Sequence, residues 1–169
     1  MKKKFRLLLF FGLLVVLIGA DKLSKEIAGE HLKGQGTITY LHDTFRLQYV
    51  ENVGAFLSFG SGLSPEASFW IFGIIPSLFL LGFLVYIIWN RNEMSLSIFI
   101  SYVLILAGGI GNISDRLIND RHVTDFLNVG IGSLRTGIFN LADLFVTTGV
   151  ICLFFFLRAE SKNKPAQEA

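Results

Sequence analysis

Four aspartates, Asp21, Asp115, Asp125 and Asp143, stand inside or beside long apolar runs of the chain. A carboxylate at the centre of a membrane helix costs on the order of 2.5–3.5 kcal/mol, so such a residue is a functional candidate by default. Two carboxylates brought within a few ångströms cannot both ionise cheaply. They share a proton, and one can act as base on a water while the other acts as acid toward a carbonyl oxygen. Other hydrolytic chemistries find less support. Cys152 is the only cysteine and lies in an apolar block, and His31, His42 and His122 are scattered, with no HExxH. Thiol, disulfide and His- or Cys-based metal chemistry are therefore disfavoured. Ser61, between Gly60 and Gly62, has Phe59 where a nucleophile turn needs its first glycine. Gly109 and Gly111 offer half a dinucleotide fingerprint, and Gly108, Gly109 and Gly111 more simply permit close helix contact.

Each aspartate also has a plainer reading. Asn140 and Asp143 have the spacing of a helix cap and its reciprocal partner, a role compatible with catalysis. Asn112, Asp115 and Arg116 share a face if their helix continues, which suits an ion-pair network. Asp21 and Lys25 are spaced for a helical ion pair. Asp125, in Val123-Thr124-Asp125-Phe126-Leu127, has no adjacent cation, and its alternative is an aspartate in a turn.

The elements that must position these groups are apolar. Of 169 residues, 52% are hydrophobic and 17% charged, against about 25% charged in ordinary globular domains. Charge-free stretches predict membrane helices over about 5–23, 68–89, 96–113 and 141–158, since a span needs about 20 residues. These leave loops at 24–67 and 114–140 and a polar tail, 161–169, read as disordered, in a single integral membrane domain. Lys2, Lys3, Lys4 and Arg6 precede the first helix, Arg91 occupies a short turn, and Arg158, Lys162 and Lys164 follow the fourth. This distribution predicts cytoplasmic termini and two long outer loops. Ile18 precedes Ala20 where a cleavage site wants a small residue, so the first helix is read as uncleaved. Alternation in Phe45–Val50 predicts a strand, Thr37–Leu41 its partner and His42–Thr44 the turn. The predicted fold class is an all-α membrane protein, a four-transmembrane-helix bundle with a small extramembrane β-hairpin between helices one and two.

The set Asp21-x-x-Ser24-Lys25, Asn52-x-Gly54-Ala55-Phe56, Gly108-Gly109-x-Gly111-Asn112-x-x-Asp115-Arg116, Val123-x-Asp125-Phe126 and Phe139-Asn140-x-Ala142-Asp143 resembles, in order and over nearly the whole chain, the motif series of the bacterial lipoprotein signal peptidases. Leu144 departs from the small polar residue often found after the last motif. The resemblance implies a catalytic dyad of Asp125 and Asp143. It implies that Asn52, Gly54, Asn112, Arg116 and Asn140 bind or shape substrate, and that Asp21, Lys25 and Asp115 give structural support. It further implies cleavage just before the diacylglyceryl-modified cysteine of a prolipoprotein in the bacterial inner membrane, with the site toward the extracytoplasmic face. No metal or organic cofactor and no nucleic acid is implied; the partners are lipid-modified precursors and membrane lipids, and the protein is expected to be a monomer. The rival reading is a small transporter or proton relay, which would place acids at the bilayer midplane in a broken helix or inverted repeat. A catalytically silent relative acting as a binding factor is the second.

Overall fold

The computed structural model describes residues 3–54 and 62–163. Ala55, Phe56, Gly60, Ser61 and the tail beyond Asn163 lie outside the described residues. Four helices are long and apolar enough to cross a membrane: α1 (Lys3–Leu32), α2 (Pro65–Asn90), α3 (Leu96–Ile118) and α4 (Leu141–Asn163). Ser64 caps α2 by accepting the Ala67 N–H at 3.2 Å, with Pro65 at the first helical position, where its missing N–H costs nothing. A π-helical stretch, Phe69–Ile74, interrupts α2 before it resumes over Ile75–Asn90. Ser95 caps α3.

Two helices run further than their apolar blocks. α1 continues past residue 23 to Leu32, because Asp21 and Lys25 neutralise each other one turn apart and let the helix cross its polar flank. At 1.5 Å per residue its 30 residues reach roughly 45 Å, well beyond the ~30 Å of a bilayer's hydrocarbon. α3 likewise continues past residue 113 to Ile118, carrying Asp115 and Arg116 on the helix. α4 runs to Asn163, so residues 161–163 are helical rather than part of a disordered tail.

The extramembrane sheet is larger than a hairpin. It has four antiparallel strands in the order β1 (Ile38–Tyr40), β2 (Phe45–Asn52), β3 (Val123–Ile131), β4 (Leu134–Arg135). The β1–β2 hairpin forms as its alternation predicts, with Ile38 opposite Leu47. Half of the sheet, however, comes from the segment between α3 and α4. β3 pairs with β2 so that Val50 faces Asp125 and Asn52 faces Val123. Leu41, His42 and Asp43 all have positive φ in the β1–β2 turn, a costly conformation for such residues. Asp43 is held there by Arg46, whose Nε and Nη2 each donate at 2.6 Å, and by Arg135 Nη1, which donates to its carbonyl at 2.7 Å.

Packing is concentrated in two places. Phe10 and Leu14 of α1, Ile87 of α2, and Phe99, Val103 and Leu106 of α3 form the core between the helices. Ala28 and Leu32, in the extension of α1, pack against Phe126 with Leu47, Tyr49 and Leu127, seating the sheet on the end of that helix. α3 and α4 meet through glycines. A Cβ on Gly108 would lie 2.3 Å from the Ala142 carbonyl oxygen, and one on Gly149 would lie 2.7 Å from that of Ser101. Many outward residues are apolar, Leu8, Val15, Phe79 and Phe155 among them. Exposed Trp70 and Trp89 stand near opposite ends of α2, roughly 28 Å apart along the helix, which matches a bilayer with an aromatic at each interface.

Candidate active site

β3 and α4 are joined by a short segment whose pairing determines the site. Phe139 and Leu127 exchange two backbone hydrogen bonds at 2.8 Å, an isolated bridge beyond β3. That bridge brings Asn140, the next residue, against Asp125. The side-chain Nδ2 of Asn140 donates to Asp125 Oδ1 at 2.7 Å, while its backbone N–H donates to Asp143 Oδ2 at 3.1 Å. Its Oδ1 accepts the Asp143 N–H at 3.0 Å. The last two bonds are the reciprocal cap suggested by the residue spacing, and they hold the Asp143 carboxylate back over the first turn of α4. One fully buried asparagine therefore touches both carboxylates.

Two further neutral amides complete the arrangement. Asn52, at the end of β2, donates from Nδ2 to Asp125 Oδ2 at 2.9 Å. Asn112 of α3 donates from Nδ2 to Asp143 Oδ1 at 2.7 Å, and its Oδ1 accepts from Asn140 Nδ2 at 3.0 Å. Asp125 is 3% exposed, and burial pushes its carboxyl from 3.8 up to about 6. The Asn52 amide opposes that rise, the Asp143 charge adds to it, and Asn140 and Lys25 oppose it. Asp125 therefore keeps its proton to a higher pH than an ordinary aspartate, and each oxygen of both carboxyls faces a nitrogen donor.

Behind the amides lies a buried ion cluster. Lys25 Nζ donates to Asp21 Oδ2 at 2.7 Å and to Asn112 Oδ1 at 3.2 Å, and stands 2.7 Å from Asp115 Oδ2. Asp21 Oδ1 accepts the Ala142 N–H at 2.8 Å, tying α1 to the first turn of α4. Gly111 leaves the space for this: a Cβ there would be 2.7 Å from Asp21 Oδ2. The Asp21–Lys25 pair follows from its spacing, whereas the partner of Asp115 is Lys25, not the adjacent Arg116. Arg116 instead turns toward β2, donating from Nη2 to the Gly54 carbonyl at 2.8 Å and from Nη1 to the Asn112 carbonyl at 3.3 Å. The structure thus gathers all ten residues singled out from the sequence. It adds the main chain of Phe139 and Ala142, which residue type alone does not reveal.

The charged groups collect at one end of the bundle: the later turns of α1, the last turns of α3, the first turn of α4 and β3. They do not line a path through the middle, as a proton relay or transporter would require. No group of histidines, cysteines and acids among the described residues could hold a metal ion.

Fold and site together define a multi-pass membrane protein with a pair of carboxylates, bridged by one asparagine, at one end of its helix bundle. The family model described as signal peptidase (SPase) II matches residues 13–158. A lipoprotein signal peptidase of Borrelia turicatae is 34% identical over 164 residues, 94% of each chain. One from Chlorobaculum parvum is 34% identical over 156 residues, 87% of this chain and 93% of its own. A solved structure described as a bacterial membrane enzyme superposes with a TM-score of 0.76 at 25% identity, covering 95% of this chain and 93% of the other. The chain belongs to the signal peptidase II family.

Proposed function

We propose that this protein removes the signal peptide from lipid-modified prolipoproteins as an aspartyl endopeptidase, with Asp125 and Asp143 as its catalytic dyad. The observation that carries the reading is the bridging by Asn140, whose side-chain amide serves one carboxylate and whose main-chain N–H serves the other. In this reading the pair holds one proton and titrates as a unit. One carboxylate takes a proton from the attacking water as its oxygen bonds to the scissile carbonyl carbon, and the other gives a proton to the carbonyl oxygen. The tetrahedral intermediate then breaks its C–N bond: the departing nitrogen takes the proton from the first carboxyl, a hydroxyl of the intermediate returns its proton to the second carboxylate, and the dyad again holds a single proton. No step calls on a metal or an organic cofactor.

Asn52, Gly54, Asn112, Arg116 and Asn140 line the substrate site, while Asp21, Lys25 and Asp115 form the support behind it. The scissile bond is the one before the diacylglyceryl-modified cysteine. The acyl chains stay in the membrane while the peptide reaches the dyad laterally, from the interface. Both termini are cytoplasmic and the sheet and dyad are extracytoplasmic, in keeping with Arg6 and Arg91 at the opposite end of the bundle. There Arg6 Nη1 donates to the Arg91 and Met94 carbonyls, closing the short turn between α2 and α3.

The test is incubation of the purified protein with a diacylated precursor and with its unlipidated counterpart. Cleavage of the first alone is expected. Cleavage of neither, or persistence of more than a few percent of turnover in Asp125→Asn or Asp143→Asn, overturns the assignment.

A further inference from the structure

The residues around the dyad include one chain of contacts that runs from a cation to a carboxylate. Arg116 Nη2 holds the Gly54 carbonyl at 2.8 Å. The Gly54 N–H in turn donates to Asn52 Oδ1 at 3.0 Å, and Asn52 Nδ2 donates to Asp125 Oδ2 at 2.9 Å. A carboxamide has two nearly isosteric ends, and its oxygen facing Asp125 would repel the carboxylate instead of supporting it. The Gly54 N–H specifies which end of Asn52 faces Asp125. Gly54 is itself buried and lies past the last ladder pair of β2, so the sheet does not hold it.

We infer that Arg116 is a positioning residue: its guanidinium clamps the main chain at Gly54 so that Asn52 presents its N–H to Asp125, and its contribution to cleavage passes through Asn52. The inference rests on the dyad reading above and changes one detail of it, since Arg116 then serves turnover more than substrate affinity. The planar guanidinium suits this task. It spans two carbonyls on different elements, Asn112 on α3 and Gly54 after β2, which a single ammonium cannot do with the same geometry.

A double-mutant cycle separates a clamp from a direct substrate contact, because residues acting in series give non-additive losses. Arg116→Lys keeps a positive charge within reach of Asp125, Asp143 and Asp115, so the charge near Asp125 is preserved while the fork is lost. Arg116→Lys and Asn52→Ala are each expected to lower kcat about tenfold with KM nearly unchanged, as for loss of one charge-linked hydrogen bond. The double variant should fall within about twofold of Asn52→Ala alone. Both single variants should also move the pH window of kcat/KM upward, because Asp125 loses a donor that favours its charged form. Rates are taken per folded protein, from thermal melts in the same detergent. Losses that multiply, a raised KM at unchanged kcat, or a shifted window in Asn52→Ala but not in Arg116→Lys each overturn the clamp. All three would leave the peptidase assignment standing, provided the wild type cleaves the diacylated precursor. A wild type that does not cleave removes both.

Discussion

Replacing Asp125 by asparagine should abolish cleavage and, above about pH 6, make the protein more stable. The carboxyl ionises at about 6 in the folded protein against 3.8 for an unperturbed side chain, so ionising it when folded costs about 3 kcal/mol more than when unfolded. The sign follows from the raised value. Stability is full below the unfolded pKa, falls as pH rises from about 4 to about 6, and stays reduced above that. Asparagine carries no such dependence. It has its own cost, because Asn140 and Asn52 each donate to one carboxylate oxygen and an amide offers only one acceptor, leaving one donor opposed at about 1–2 kcal/mol. The variant should therefore be about 1–2 kcal/mol less stable than wild type near pH 4 and about 1–2 kcal/mol more stable near pH 7. At 2–4 °C per kcal/mol for a chain of this size, the difference in Tm should swing by roughly 6–12 °C across that range. Melts of both proteins in one detergent at several pH values measure it. A difference that does not change between pH 4 and 7 refutes the claim that Asp125 is harder to ionise in the fold.

Asp143→Asn should also abolish cleavage but lower stability throughout, by about 1 kcal/mol or more, since its carboxylate closes the cap with the Asn140 N–H; melting at pH 7 distinguishes it from Asp125→Asn. Lys25→Met should cost about 3–5 kcal/mol by leaving Asp21 and Asp115 buried without their cation, and adding Asp115→Asn should restore part of the lost Tm. Gly108→Ala, whose Cβ would meet the Ala142 carbonyl at 2.3 Å, should cost about 1–3 kcal/mol and depress cleavage, whereas Gly12→Ala, with nothing within 4 Å, should change neither. Cleavage should persist in chelator and in Cys152→Ala, measured on the diacylated precursor.

The helices are legible because lipid imposes long apolar runs, and the β1–β2 hairpin because its alternation is plain. The other half of the sheet is not. Val123-Thr124-Asp125-Phe126-Leu127 carries buried residues on both faces, Phe126 against the extension of α1 and Asp125 against Asn140, and a strand covered on both faces loses the period of two. The sequence pattern ends α1 and α3 early because Asp21 to Lys25 and Asp115 to Arg116 read as polar flanks. Lys25 of α1 also pairs with Asp115 of α3 across the two helices, which no local pattern records. Among the site residues, the Asn140–Asp143 cap is visible from spacing alone. The partnership of Lys25 with Asp115 and the reach of Arg116 to Gly54 depend on how α1, α3 and β2 are set together. Those ten positions could be named as a group through likeness to a family, while their connections could not.

The contact between α3 and α4 bears on how such a protein could be inhibited and how it could escape. With backbone nearly touching backbone at Gly108 and Gly149, and a carboxylate filling the gap at Gly111, the walls that carry Asn112, Asn140 and Asp143 have no room to drift or to trade residues. A drug gripping those three side chains would meet a receptor unable to remodel itself around the intruder without disabling its own chemistry. Resistance would then have to arise by making more enzyme or less lipoprotein, rather than by reshaping the pocket.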